Sequence, residues 1–247
     1  MREKHRGITS VKGLGIVYCV VFPLTLFILY AVLHVRNYYF LSICLAVFAV
    51  LPAFALYEND ASEGVEQHKK APINKIVLVA TFTALTVASR AAFFWVPQLK
   101  PMMAIVILAG VGFGPQMGYL VGVFSAFCSN FIFGQGPWTP FQMAAFGIMG
   151  FIAGLFFYGR YKSKQRWLLC VFGLVGTYIV YGGIVNFYST VAFVPQLTWG
   201  AFFISYSMAI PFDMAHSAGT AFFLFVLSDI FLKRIERLRV KYGMSFD

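Results

Sequence analysis

The chain has 247 residues, of which 60% are hydrophobic and only 11% charged, with 29 Phe and a net charge of +10. At a mean hydropathy of +0.78, no stretch is polar enough to form a soluble domain, and lipid must take the place of water around most of the surface. The basic residues sit in short segments between apolar runs and form no patch interleaved with stacking aromatics, which argues against a nucleic-acid partner.

A spanning helix needs about 20 mostly apolar residues. In chain order, the apolar runs predict helices at 13–34 and 38–57, then a polar segment at 58–72 carrying Glu58, Asp60, Glu63, Glu66 and the pair Lys69–Lys70. Six more follow, near 74–97, 101–114, 116–133, 140–158, 168–188 and 205–231. Gly114–Pro115 supplies the break between the second and third of these. The expected fold class is therefore an all-α integral membrane protein, with two N-terminal helices (1–57), a cytoplasmic linker (58–72) and a six-helix core with a basic tail (73–247).

Short loops rich in Lys and Arg face the cytoplasm. With the N-terminus inside, 16 of the 19 basic residues fall on the inner side, leaving Arg36, Arg90 and Lys100 outside. Both termini are thus expected in the cytoplasm of a multi-pass protein of the bacterial plasma membrane. The basic run Lys233–Lys241 reads as a juxtamembrane helix drawn to anionic lipid. Cys19, Cys44, Cys128 and Cys170 lie inside apolar runs at unrelated spacings and read as buried small hydrophobes, with no disulfide framework and no metal site.

Ala80, Ala84 and Ala88 recur every four residues and share one face of the first core helix. Small residues at that spacing let membrane helices approach closely. They serve either this chain's own bundle or the docking of another subunit. Arg90 lies within the bilayer near the end of the same helix, where a charge is costly and is paired or functional. Asp213 is its expected partner, as an ion pair or as a second ligand contact. Lys100, before Pro101, either snorkels or meets a ligand. His216 stands three residues after Asp213 on one helical face, a spacing that can hold a metal or orient an acid–base pair but lacks a third ligand or a nucleophile, and a hydrogen-bonded structural histidine is the favoured alternative. The segment Gly134–Met143 holds two Gly and two Pro and cannot continue a helix. Its Trp138, Thr139, Gln142 and Met143 offer a stacking face, hydrogen-bonding groups and an adaptable thioether to a large amphipathic ligand. No GxxxxGK[ST], HExxH or GxSxG motif is present, so energy for uptake would have to come from other subunits.

From about residue 73 onward the chain resembles the S components of energy-coupling-factor (ECF) vitamin transporters. The residues that carry the likeness are the alanine stripe, FWVPQLKPMMAIVILAGVGFG (94–114), FSAFCSNFIFGQGPWTPFQM (124–143) and GIMGFIAGLFF (147–157). The GQGPWTPFQM block points to the cobalamin-type members. The resemblance implies a six-helix core that takes a vitamin from outside, with the loops at 98–101, 134–143 and 187–202 around it. It also implies docking through Ala80, Ala84 and Ala88 onto a membrane scaffold subunit, and transport driven by two cytoplasmic ATPases. Cobalamin would be the transported substrate, ATP would be used only by the partners, and the chain itself would not be an enzyme. The two N-terminal helices depart from a minimal S component. Other ligands (cobinamide, queuosine, pyridoxine or a thiamine-like compound) remain open, as does an intramembrane enzyme using Asp213 and His216.

Overall fold

A computed structural model describes residues 70–162 and 165–242, with side chains described at 75–162 and 165–238. The two expected N-terminal helices and most of the polar linker lie outside the described residues. Within them every regular element is a helix. Five helices are long and apolar enough to cross a membrane, and a shorter apolar one is packed among them.

Helix α1 runs Lys70–Ala92. It stops five residues short of the predicted end, because Pro97 cannot continue it and biases Val96 toward extended backbone. The connection 93–101 turns at Gln98, whose φ of 58° makes it the one non-glycine residue in left-handed backbone among those described. That conformation is sparsely populated for a residue with a side chain. The turn lays Leu99 on Gly219, where an added Cβ would stand 3.4 Å from the Leu99 Cα. Phe93 meets Phe223 edge-on at 5.1 Å.

Helix α2, Met102–Phe113, is buried along its whole length and has no polar side chain. Its 12 residues span only about 18 Å, too little to cross a bilayer alone, so other helices sheathe it on every face. Gly114, at φ 101°, makes the sharp turn into α3, Pro115–Phe133, and α4 follows as Thr139–Phe157. Both helices begin with Pro in the first turn, where its missing N–H costs nothing.

Helices α2, α3 and α4 meet backbone to backbone through glycines. A Cβ on Gly118 would lie 2.6 Å from the Gly110 Cα and 2.7 Å from the Gly150 carbonyl carbon, and Gly122 is as close to Phe146 and Gly147. Without a hydrophobic effect between helices in lipid, such close approach is what gives dispersion its reach.

The next span, Arg166–Phe193, is one continuous crossing made of α5 (Arg166–Gly176), a π-helical turn (Thr177–Gly182) and α6 (Gly183–Phe193). Helix α7 extends from Trp199 to Tyr242, 44 residues through an internal Pro211. It therefore joins the predicted span 205–231 to the basic juxtamembrane run in a single element. Arg166 and Asp229 form an ion pair between α5 and α7, with Arg166 also 5.1 Å above the Phe225 ring.

Candidate functional site

The last turn of α1, the last turn of α3 and the first turn of α4 converge at one end of the bundle. Arg90 donates from Nη1 to Ser129 Oγ (2.5 Å) and Asn130 Oδ1 (2.8 Å), and its guanidinium lies 4.5 Å above the Phe133 ring. Asn130 is the hub. Its Nδ2 donates to Thr139 Oγ1 at 3.0 Å and to Gln142 Oε1 at 2.8 Å. Thr139 donates onward to Gln135 Oε1 at 2.8 Å and accepts from the Gly136 N–H, while Gln135 Nε2 donates to the Phe127 carbonyl at 3.0 Å. Each member finds its partner within the protein, so this network fixes three helices and the 134–138 turn to one another.

Asp213 is not the partner of Arg90, contrary to the sequence expectation. Its carboxylate accepts from Asn186 Nδ2 on α6 at 2.6 Å and rests against Gly182, where a Cβ would stand 3.0 Å from Oδ2. The π turn creates this seat, since its widened backbone places a glycine opposite the acid, and such turns recur at functional sites. One residue on, the Gly183 carbonyl accepts from the Tyr206 hydroxyl at 2.8 Å.

His216 stacks tilted on Tyr181 at 4.7 Å between ring centroids, and its Nε2 is enclosed with no hydrogen bond among the described residues. It is not bonded to Asp213. Ser217 Oγ bonds back to the Asp213 carbonyl at 2.7 Å and so is not aimed at the imidazole. Among the described residues no three His, Cys, Asp or Glu side chains gather where they could hold a metal.

The remaining sequence candidates fall in distinct settings. Trp138 is half-buried, with its ring folded over Gly136. Gln142 is half-buried in the network, while Thr139 and Met143 are buried, Met143 at 2% exposure inside the main apolar core. Lys100 is half-buried beside Leu99. Burial pulls its ammonium below the ordinary lysine range, and the nearby Arg90 charge adds to the effect. Ala80, Ala84 and Ala88 are all exposed, while Phe82, Thr83 and Thr86 on the opposite face are buried. Among the described residues the stripe is therefore left uncovered.

Sequence reasoning missed Ser129, Asn130, Gln135, Tyr181, Asn186 and Tyr206. The Ser129–Asn130 pair closing an apolar helix, and Asn186 as the sole amide of its span, were the available signals, since an amide within a membrane helix needs a partner.

A family model described as ECF-type riboflavin transporter, S component, matches residues 70–226. A UPF0397 protein of Aliivibrio salmonicida is 31% identical over 120 residues, covering 43% of this chain and 65% of that protein. A UPF0397 protein of Vibrio atlanticus is 32% identical over 120 residues with the same shares. One from Aliivibrio fischeri is 34% identical over 86 residues, 33% of this chain and 46% of that protein. The chain thus spans less than two thirds of the length of these relatives. No solved structure matches it. Its apolar helices make it a multi-pass membrane protein, and with the match covering more than half its length, this chain belongs to the family of ECF-type riboflavin transporter S components.

Proposed function

We propose that this chain is the membrane-embedded substrate-binding subunit of an ECF-type importer, with cobalamin as its ligand. The observation that carries the reading is the coincidence of the family match, 70–226, with the helical bundle that positions Arg90, Lys100, Trp138, Asp213 and His216. The cobalamin assignment rests on the GQGPWTPFQM block. In this reading the 93–101, 134–138 and 194–198 connections face outside, both termini are cytoplasmic in a bacterial plasma membrane, and the ligand enters among these connections. The exposed alanine stripe of α1 is the docking face for a scaffold subunit, and two ATPases on that scaffold supply the energy. Family membership is in a group of transporter subunits, and the geometry of Asp213, His216 and Ser217 supports binding rather than turnover.

A second reading keeps the role and changes the ligand to riboflavin, the compound named in the family's own description. Isothermal titration of the purified chain in detergent separates the two. Sub-micromolar binding of cyanocobalamin without riboflavin binding supports the first reading, and the reverse supports the second. Silence with both ligands overturns the pair.

A further inference from the structure

Between residues 75 and 238 the chain holds only three carboxylates, Asp213, Asp229 and Glu236. Asp229 is paired with Arg166, Asp213 is bonded to Asn186, and Glu236 is exposed far along α7. Arg90 and Lys100 are both half-buried, and neither has an acidic partner among the described residues. Arg90 uses Nη1 alone, on two neutral oxygens, which leaves Nη2 and Nε uncommitted among those residues. The contact of Leu99 on Gly219 holds the connection against the middle of α7. Phe93 lies edge-on to Phe223, one turn further along the same helix, so Arg90 in the last turn of α1 and Lys100 in the connection that follows it are carried at one end of the bundle. Snorkelling to water could relieve Lys100. It does not explain a guanidinium fixed in the last turn of a spanning helix. Two half-buried cations at one end of the bundle, with no acidic partner among the described residues, are costly unless an anion joins them.

We propose that Arg90 and Lys100 form a receiving corner for one anionic substituent, a carboxylate or phosphate ester, on the transported ligand. The substrate is then a large, mostly uncharged molecule carrying a single negative group. The proposal rests on the reading of this chain as a ligand-binding subunit. Arg90 supplies the directional donors and is anchored by Asn130. Lys100, on the connection, supplies a mobile charge that closes on the anion.

The test measures binding to the purified chain in detergent for two pairs of compounds. One pair is riboflavin and its 5′-phosphate. The other is cobinamide and cobalamin, of which only cobalamin carries the phosphodiester. Thermal midpoints are recorded in parallel with inorganic phosphate alone and with phosphatidylglycerol in mixed micelles. The phosphate-bearing member of the bound pair is expected to bind about tenfold tighter. Lys100→Gln should erase that preference by weakening the phosphate-bearing member, and Lys100→Arg should restore it. Equal affinities within a pair, or an equal loss of both in Lys100→Gln, would overturn the corner and leave the vitamin reading standing. If no vitamin binds but inorganic phosphate raises the midpoint in a Lys100-dependent way, the corner stands and the vitamin reading falls. A Lys100-dependent shift with phosphatidylglycerol only assigns the corner to a lipid headgroup and overturns its role in transport. No shift under any condition overturns both.

Discussion

Replacing Gly118 by Ala tests the packing of α2, α3 and α4 directly. The new Cβ would stand 2.6 Å from the Gly110 Cα and 2.7 Å from the Gly150 carbonyl carbon, where ordinary contacts begin at 3.4 Å. The helices must then separate by about 0.8 Å, and since the obstacles are backbone atoms no side chain can swing aside. Overpacking of this kind costs about 1–3 kcal/mol, and backbone obstruction belongs at the upper end. The helix propensity of Ala over Gly offsets about 1 kcal/mol of that. The net loss is about 2 kcal/mol, or a fall of about 4–8 °C in midpoint if about 2–4 °C accompanies each kcal/mol. Gly183 is the control. It is helical, with φ −55° and ψ −49°, and nothing lies within 4 Å of its added Cβ, so Gly183→Ala should be neutral or stabilising by up to about 1 kcal/mol. Thermal unfolding of both variants in detergent, followed by tryptophan fluorescence, gives the comparison. A Gly118→Ala midpoint at or above that of Gly183→Ala would refute the packing argument.

Three further outcomes follow from the same structure. Asn130→Ala removes a side chain at 1% exposure that bonds Arg90, Thr139 and Gln142, and should cost about 1–3 kcal/mol because buried partners are left unsatisfied. Gln142→Ala, losing one bond at a half-buried position, should cost less, and the order of the two thermal midpoints is the check. Ala84→Leu lies on the exposed face of α1 and should leave the midpoint unchanged while abolishing co-purification with the proposed scaffold subunit. An intact complex would detach the stripe from docking. Lys100 sits below its ordinary value of 10.5 because burial penalises its charge. Between its lowered value and 10.5 the unfolded chain carries a proton there that the folded chain lacks, so stability rises with pH across that alkaline window. Lys100→Gln should flatten the rise, and an unaltered slope would count against burial of the ammonium.

The alanine stripe shows where periodicity reaches its limit. A four-residue repeat places Ala80, Ala84 and Ala88 on one face, but both an internal and an external partner satisfy that pattern. Which applies depends on where α3 and α2 lie around α1, and they cover Phe82, Thr83 and Thr86 instead. Arg90 and Asp213 show the same limit for charge. Each was legible as a costly group needing partners, and opposite sign made them look like each other's. The partners turned out to be neutral: Ser129 and Asn130 for one, Asn186 for the other. Amide and hydroxyl groups satisfy a buried charge by geometry, and geometry is set by helix packing.

Segment length, hydropathy and the breaks at Gly114–Pro115 and Gly134–Pro140 are local properties, so the apolar helical runs from 74 onward were legible in the sequence itself. Hydrogen bonding inside each helix is satisfied locally too, so lipid leaves the backbone little alternative. Tertiary structure alone decided that 166–193 carries a π turn seating Asp213, and that Thr139 and Gln142 are bonded within the protein. Those outcomes depend on which backbones can approach at Gly110, Gly118 and Gly150. That is a relation between distant segments, and no single segment's composition encodes it.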